Sequence, residues 1–399
     1  MSTPTNPLTS PPPIAEAEYH QRLARLRQLL DVAGVDAIVI WARGGGTVER
    51  FANVQYLCGH YPFFPIIRDV PGAWADRGYA ALVVTQDESV LCSDDEAAAP
   101  YAVTDHRFLD ASGQTLGDLV AEVLAGVRRR IAVCGADTMT ARQFGHLEKA
   151  AAPVVDGEIL VADDLVEHLR SIKSSAEIAL LEHAATIADA SFRFALETLH
   201  AGVSEAEVTA ALIAEATRRD AVVANAFVTT FGDASGTEHV GAPTWTQRRL
   251  AAGDLFTVDF SGAYRGYFYD LARSRVIDRA PTDAQAGAFE LARDSVNAAV
   301  AASVPGATVA DVARAADDLL RQQNYDFAAA EFKAGGHGIG LGFEAPWIRD
   351  DNLRPIEVGM TLALERFVIR DGTGATFERN IVVTEHGPRD LAPVIDIWQ

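Results

Sequence analysis

Five residues that are able to bind a metal ion follow one another in the C-terminal half of this 399-residue chain. They are Asp259, Asp270, His337, Glu365 and Glu378. Each lies in a short apolar or glycine-rich segment, such as the Leu-Phe-Thr-Val that precedes Asp259. An ionised carboxylate on a mostly apolar strand is unfavourable by several kcal/mol unless it is paired or binds a cation. Four carboxylates that converge beside an imidazole repel one another unless a cation holds them, so the sequence predicts a metal site, with two ions bridged by carboxylates.

The spacing of these residues follows a recognisable pattern. Asp259 and Asp270 are separated by ten residues, and His337 is the histidine of a Gly-His-Gly-x-Gly segment. Gly359 and Met360 are followed by four residues and then by Glu365. In these motifs the chain resembles the pita-bread metallohydrolases, the family that includes prolidase, aminopeptidase P, methionine aminopeptidase and creatinase.

Two further matches extend this resemblance over most of the chain. Glu378 precedes Glu385 of a Val-Thr-Glu by seven residues, as the last acidic ligand of the family does. From Leu169 the sequence Leu-Arg-Ser-Ile-Lys-Ser-Ser-Ala-Glu-Ile resembles the entry into the catalytic domain of the family. One such motif is weak evidence, whereas five in the same order and at the same spacing are specific.

The resemblance implies an α/β N-terminal creatinase-like domain and an α+β pita-bread catalytic domain with a curved antiparallel sheet. A chain of 399 residues is long enough for two such domains. We expect a disordered, proline-rich arm over residues 1–14 and the N-terminal domain over 15–165. A linker over 166–176 then leads to the catalytic domain at 177–399.

Hydrophobic periodicity places helices and strands along this framework. Leucines at helical spacing predict a helix that Gly34 ends, and Ser204 and Thr282 are suited to begin two later helices. The predicted helices are Glu16–Ala33, Leu116–Val127, Glu177–Leu199, Glu205–Arg218, Asp283–Ala302 and Val309–Gln322, and the predicted strands of the first domain are Asp36–Trp41, Tyr79–Thr85, Ser89–Cys92 and Arg130–Cys134.

A stretch between these elements, Tyr56–Gly78, is rich in aromatic residues and proline. It is either a packed surface loop or a loop that faces the substrate or a second subunit. The part around Tyr61–Phe64 and the segment Arg43–Gly46 are the candidates for the second role, because one chain of the family's dimers closes the active site of the other.

The resemblance also implies a role for each ligand. Asp259 binds one metal ion through both oxygens, and Asp270 and Glu378 bridge two ions. His337 and Glu365 complete the set of ligands around the second ion. Glu365 also takes a proton from the water and passes it to the leaving nitrogen. Four carboxylates and one imidazole form an oxygen-rich set that favours two divalent ions of Mn, Fe, Co or Zn.

His239 resembles the substrate-side histidine that precedes the first aspartate strand in the family, where it contacts the scissile group or carries a proton. The alternative is an ordinary loop histidine. The peptidases of the family carry a second histidine after Gly-His-Gly-x-Gly, and here Phe343 or Glu344 occupies its place. Arg366 replaces the proline of the family's Glu-Pro-Gly. Its guanidinium either binds a substrate carboxylate or forms a salt bridge with another acid.

The overall composition narrows the choice of partners. A net charge of −21 argues against nucleic acid and anionic membranes, and no apolar run predicts a membrane helix or a secretory signal. Three cysteines without a spacing pattern, Cys58, Cys92 and Cys134, indicate reduced thiols and a cytoplasmic location. The resemblance further implies a homodimer.

The sequence therefore favours a dinuclear metal-dependent hydrolase that cleaves a C–N bond of a small amide, amidine or short peptide through a metal-bridging hydroxide. The missing second histidine and Arg366 favour a specialised small-molecule substrate. The alternatives are an Xaa-Pro dipeptidase or aminopeptidase proper, a metal-dependent lyase on the same fold, and a binding module without catalysis.

Overall fold

The computed structural model describes residues 10–44, 51–61, 67–70, 73–94, 100–109, 113–125, 129–232, 244–325 and 334–393. The chain divides into two compact units, the first Pro13–Arg170 and the second Ser171–Gln399 together with Met1–Pro12, and each has its own hydrophobic core. This division falls within the segment 166–176 that the sequence analysis assigns to a linker. None of the described helices is long and apolar enough to cross a membrane.

The N-terminal unit is built on a six-stranded mixed sheet. Its strands are β1 (Ala37–Arg43), β2 (Tyr79–Thr85), β3 (Ser89–Ser93), β4 (Asp105–Phe108), β5 (Ile131–Cys134) and β6 (Leu160–Val161). They lie in the order β4-β3-β2-β1-β5-β6, and β1 pairs antiparallel with β2 and parallel with β5. The central strands are buried along almost their whole length, as expected for apolar runs covered on both faces. The four strands predicted for this domain are all present, within two residues at each end.

Five helices accompany this sheet, namely α1 (Glu16–Ala33), α2 (Ala52–Cys58), α3 (Leu116–Leu124), α4 (Ala141–Ala151) and α5 (Asp163–Ser171). Helix α1 has the predicted bounds and ends at Gly34. The expectation of an irregular stretch from Tyr56 onward is wrong at its beginning, because Tyr56 is a buried residue of α2. Residues 62–66, 71–72 and 45–46, and with them much of both candidate loop segments, lie outside the described part of the chain.

The proline-rich arm predicted over residues 1–14 is described only from residue 10. Within that part, the carbonyl of Pro11 accepts a hydrogen bond of 3.1 Å from the guanidinium of Arg265. Ile14 is buried directly before helix α1. The described end of the arm is therefore held against the folded chain.

Two antiparallel sheets form the second unit. One contains β7 (Val222–Phe231), β8 (Leu255–Tyr264) and β9 (Tyr267–Val276), in that order. The other contains β10 (Gly336–Ile339), β11 (Phe343–Glu344), β12 (Thr361–Arg370), β13 (Thr373–Thr384) and β14 (Gly387–Asp390), in the order β11-β10-β12-β13-β14. The sheets meet where β9 runs antiparallel beside β13. There the Ser274 hydroxyl donates to the carbonyl of Thr376 at 2.9 Å and accepts from its backbone N–H at 2.8 Å.

Four helices pack outside these sheets, namely α6 (Ser175–Leu196), α7 (Glu205–Arg218), α8 (Asp283–Ala302) and α9 (Val309–Gln322). The predicted capping residues are confirmed, because the side chains of Ser204 and Thr282 accept hydrogen bonds from the third residue of α7 and α8. Helices α8 and α9 bury one face against β12 and β13, where Phe289 meets Phe377 edge to face. Helices thus cover the outer face of the second sheet and leave its inner face for the polar residues.

The hairpin β8–β9 turns through Arg265 and Gly266, with φ values of 50° and 88°. Two consecutive positive φ values are typical of the tight turn that joins twisted antiparallel strands. Gly262, whose residue type would also suit the turn, lies instead inside β8, opposite Tyr269. A Cβ atom at Gly262 would overlap the Tyr269 hydroxyl and the carbonyl of Val222, so the absence of a side chain makes room for the tyrosine.

Candidate metal centre

The hairpin β8–β9 brings the two predicted aspartates to one face of the first sheet. In its register Asp270 lies opposite Ser261, and Asp259 lies two residues before Ser261 in β8. Because residues two apart in a strand share a face, both carboxylates point to the same side. Three of the predicted ligands, Asp259, Asp270 and Glu378, each place one oxygen within 4.8 Å of the others.

The second hairpin, β12–β13, contributes two glutamates that are directly opposite each other, Glu365 on β12 and Glu378 on β13. Directly opposite side chains of an antiparallel pair have Cβ atoms only about 4.5–5.5 Å apart, and like charges there are destabilising. Glu378 is fully buried, whereas the side chain of Glu365 retains 19% of its exposure. This pairing is unfavourable in an ordinary sheet and favourable around a cation.

His337 approaches this group from β10, whose backbone pairs with β12. Its Nε2 atom lies 3.4 Å from Asp270 Oδ2 and 3.8 Å from Glu365 Oε1. Its Nδ1 atom lies 2.8 Å from the carbonyl of Gly338 and, since a carbonyl only accepts, must carry the proton. In a neutral imidazole this places the lone pair on Nε2, on the side of the carboxylates, which is the tautomer of a metal-binding histidine.

We call Asp259, Asp270, Glu365 and Glu378 the carboxylate cluster. Burial raises the pKa of each of these carboxyl groups. Burial first, and then the charge of Asp259, raises the pKa of Glu365 to about 7. For Asp270 and Glu378 the negative charges of the other cluster members add to the effect of burial. Four acids that oppose one another's ionisation in this way are neutralised together by divalent cations.

Two carboxylate oxygens of the cluster lack the contacts that buried polar atoms normally make. In the described part of the chain, Asp270 Oδ1 and Glu378 Oε2 are buried and have no hydrogen-bond partner. Buried carboxylate oxygens without donors are rare unless an ion supplies the missing contact. The donor set, which is four carboxylates and one imidazole nitrogen, therefore fits divalent metal ions.

Asn380 supports two of these ligands and was not predicted from the sequence. Its side-chain oxygen accepts the backbone N–H of Asp270 at 3.2 Å, and its amide nitrogen lies 3.4 Å from Glu378 Oε1. It is buried and lies two residues after Glu378, so it shares that residue's face of β13. The spacing of two residues from Glu378 in a strand was the only signal for Asn380 in the sequence. Its hydrogen bond to Asp270 becomes visible only from the contact between β9 and β13.

Arg273 of β9 lies behind the cluster. Its guanidinium donates to the carbonyls of Ala272 at 2.8 Å and Glu378 at 2.7 Å, so it joins β9 to β13 at the level of a metal ligand. Burial lowers its pKa to about 10, which leaves it charged at neutral pH. It thus supplies a fixed positive charge under the buried Glu378.

The residues predicted to contact the substrate differ in their positions relative to the cluster. His239 lies outside the described residues. Phe343 is close to the centre, with its ring 4.9 Å from that of His337. Glu344, the next residue, points the other way and forms a buried ion pair with Lys173, so the structure does not support its assignment to a substrate contact.

The structure also does not bring Arg366 to the cluster. It follows Glu365 in β12 and therefore points to the opposite face of the sheet. There its guanidinium pairs with Asp317 of helix α9 and lies 3.4 Å from the carbonyl of Ala334. This is the salt bridge that the sequence left as the alternative, and it replaces the expectation of a substrate-binding arginine.

The two-sheet fold and its carboxylate–histidine centre define a metal-dependent hydrolase of C–N bonds. The model of metallopeptidase family M24 matches residues 179–385, and that of the creatinase/prolidase N-terminal domain matches residues 22–172. The chain belongs to metallopeptidase family M24. These matches confirm the family and the fold class that the sequence motifs indicated.

Individual relatives agree with this assignment. The chain is 27% identical to the uncharacterized peptidase YqhT of Bacillus subtilis over 93% of this chain and 97% of that one. It is 29% identical to an Xaa-Pro dipeptidase of Pyrococcus furiosus, over 57% of this chain and 65% of that one. The structure of dipeptidase PepE from Mycobacterium ulcerans superposes with a TM-score of 0.78 and 26% identity, covering 97% of this chain and 99% of that one.

Proposed function

We propose that this protein hydrolyses the amide bond of a dipeptide or similarly small amide at a centre of two divalent metal ions. The observation that carries the proposal is the direct opposition of Glu365 and Glu378 beside Asp270, with two buried carboxylate oxygens that have no donor in the described structure. A centre for one ion rarely needs four carboxylates, whereas two ions bridged by carboxylates do.

Asp270 and Glu378, the most deeply buried acids of the cluster, would hold the ions together with Asp259, Glu365 and His337. His337 would act beside Asp270 and Glu365, since its Nε2 atom lies 3.4 Å from Asp270 Oδ2 and 3.8 Å from Glu365 Oε1. When bound, Mn, Fe, Co or Zn ions supply Lewis acidity that activates water and the amide carbonyl.

The protein's own residues have distinct tasks in this scheme. Glu365 keeps part of its carboxylate accessible, so it is placed to accept the proton of the attacking water and transfer it to the leaving nitrogen. The Nδ1–H bond of His337 to Gly338 fixes the orientation of its ring. Asn380 and Arg273 hold Asp270 and Glu378 in register across the junction of β9 and β13. His239 remains our proposal for the substrate-side histidine.

Among the possible substrates, an Xaa-Pro dipeptide is the leading candidate. The similarity to an Xaa-Pro dipeptidase of Pyrococcus furiosus supports this substrate. Phe343 stands where the family's peptidases have a second histidine, which supports a substrate that differs from theirs. A panel of Xaa-Pro dipeptides, other dipeptides and small amides separates these two cases.

Metal content of the purified protein, measured by mass spectrometry, is the first test. We expect about two divalent ions per chain, and loss of at least one in Asp259→Ala and His337→Ala. Asp351→Asn is the matched control, because this acid is exposed and paired only with Arg349 among the described residues. A protein that takes up no Mn, Co or Zn even when supplemented contradicts the proposal. One ion per chain contradicts the dinuclear part alone.

We further propose a cytoplasmic homodimer. Three buried cysteines that form no disulfide, Cys58, Cys92 and Cys134, support a reducing compartment. The dimer rests on the family resemblance, and sedimentation of the purified protein tests it.

A further inference from the structure

The chain leaves strand β7 at its end and returns to the middle of the same strand. β7 ends at Phe231, and the described part of the chain resumes at Thr244, five residues after His239. The hydroxyl of Thr244 accepts a hydrogen bond of 2.9 Å from the backbone N–H of Val228 and donates one of 2.9 Å to the carbonyl of Ala226. The returning chain is therefore bonded to β7 several residues before the point at which it left.

This point of return is level with the metal centre. In the described structure β7 is an edge strand of its three-stranded sheet. Ala226 and Val228 lie on either side of Phe227, and Phe227 is paired with Asp259 across the ladder. An edge strand presents backbone polar groups that have no partner strand. One hydroxyl, that of Thr244, bonds to such a group on each of the two buried residues beside Phe227.

A buried carboxylate joins the returning chain to β7 at a second point. Glu205, the first residue of helix α7, is 2% exposed. It accepts hydrogen bonds from the hydroxyl of Thr230 on β7 at 2.7 Å, and from the backbone N–H and the hydroxyl of Thr246 at 2.9 and 2.8 Å. Arg248 Nη1 lies 3.8 Å from Glu205 Oε1 and supplies the opposite charge. Hydrogen bonds to an ionised carboxylate are short and strong, so this contact holds the two threonines together.

Arg248 and Asp254 form a third point at the end of β7. The guanidinium of Arg248 donates to Asp254 Oδ2 at 3.0 Å, and Asp254 is buried. A Cβ atom at Gly232 would overlap Asp254 Oδ1, so the absence of a side chain lets the chain pass close to this pair as it leaves β7. The segment 244–248 thus follows β7 in the same direction, and we call its contacts with β7, Glu205 and Asp254 the β7 anchor.

We propose that Thr244 is a positioning residue for the reaction, because the β7 anchor fixes, beside Asp259, the chain from which His239 reaches the substrate. Five residues separate Thr244 from His239, and five residues span at most about 18 Å when fully extended. The place at which Thr244 is bonded to β7 therefore limits where the imidazole meets a substrate held at the carboxylate cluster. This assignment rests on the proposed function, because it takes His239 as the substrate-side histidine.

A double-mutant cycle of Thr244→Val and His239→Ala tests the proposal in the metal-loaded protein. Valine keeps the shape of threonine and removes the hydroxyl. With the Xaa-Pro dipeptide or other amide that is hydrolysed fastest, we expect Thr244→Val to lower kcat/KM about 10–100-fold. In a His239→Ala background the same substitution should lower kcat/KM less than about twofold, because the group that Thr244 positions is then absent. Equal losses in the two backgrounds overturn the proposal.

Three controls accompany this cycle. Thr244→Ser retains the hydroxyl and should keep most of the activity. Thr186→Val removes a hydroxyl that donates to the carbonyl of Glu182 at 2.8 Å within helix α6, and it should leave kcat/KM unchanged. Metal content should be the same in all variants, because none of these side chains belongs to the carboxylate cluster or to His337. Loss of metal in Thr244→Val shows that the hydroxyl acts through Asp259, and that result overturns the proposal.

Amide hydrogen exchange separates the β7 anchor from the proposed function, since it requires no turnover. The backbone N–H groups of Val228 and Thr246 are both bonded within the anchor, so Thr244→Val should speed up exchange at both by at least about tenfold. Unchanged exchange at Thr246 overturns the proposal. Faster exchange in a protein that hydrolyses no amide supports the anchor and contradicts the proposed function. Faster exchange with undiminished hydrolysis contradicts the positioning role and leaves the proposed function intact.

Discussion

Replacing Glu365 by glutamine should have opposite effects on stability in the metal-free and the metal-loaded protein. Glutamine has nearly the same shape as glutamate but no charge. In the metal-free protein it removes one of two directly opposed carboxylates, so we expect Glu365→Gln to be more stable than the unmodified protein at alkaline pH. In the presence of Mn²⁺ it removes a ligand, so we expect it to be the less stable of the two.

The magnitude follows from the pKa of this residue. Burial and the charge of Asp259 raise the pKa of Glu365 from 4.5 to about 7, which corresponds to about 3 kcal/mol at 1.36 kcal/mol per pKa unit. Below pH 4.5 the carboxyl is protonated in both the folded and the unfolded chain, so it has no effect on stability. Between these pH values the folded chain binds more protons, and its stability therefore falls as the pH rises. Above about pH 7 the full penalty is present.

Urea unfolding in EDTA, followed by circular dichroism from pH 4.5 to pH 8, measures this difference. We expect the advantage of Glu365→Gln to be close to zero at the acidic end and about 3 kcal/mol at pH 8. Glu290→Gln is the control, since Glu290 is an exposed residue of helix α8, and its effect should not depend on pH or chelator. If the glutamine variant in EDTA is no more stable than the unmodified protein at pH 8, the penalty that burial and the charge of Asp259 impose on ionised Glu365 is absent.

Three further substitutions test other parts of the second unit. Asn380→Ala should lower metal affinity about 10–100-fold without loss of fold, which calorimetric titration with Mn²⁺ and circular dichroism would show together. Lys173→Met leaves Glu344 charged and buried, so it should destabilise the protein by about 3–5 kcal/mol, and adding Glu344→Gln should recover much of that loss in urea unfolding. Gly262→Ala places a methyl group against Tyr269 and should reduce stability by at least about 1–3 kcal/mol, an effect that Tyr269→Phe should partly relieve.

The sequence predicted well those features that depend on neighbours along the chain. Helix α1 and helices α7, α8 and α9 begin and end at the predicted residues, because capping residues and apolar periodicity act within one or two turns. The ligand motifs were visible for a similar reason, since each one combines a charged residue with an apolar or glycine-rich segment of fixed length.

Features that depend on distant pairing were not accessible in this way. The direction of Arg366 depends on whether β12 turns that residue toward the cluster or toward helix α9, and the sequence alone leaves both faces open. The role of Asn380 requires knowing that β9 runs beside β13. The ring of Trp347 lies 5.5 Å from that of His337, a proximity that no local pattern reveals. Helix α2 was missed because its seven residues are too few to show a helical periodicity of apolar side chains.

The ion pair between Lys173 and Glu344 has a consequence for how such chains exchange domains during evolution. Lys173 is the third residue after the division at Arg170, yet its side chain is buried with Glu344, and its backbone N–H donates to the carbonyl of Gly359 at 2.9 Å. Ile172 forms a bridge to Met360, directly before the strand that carries Glu365. An exchange of the N-terminal domain therefore has to keep the host's own residues from Ser171 onward, which limits the junction that recombination is able to use to a few residues around Arg170.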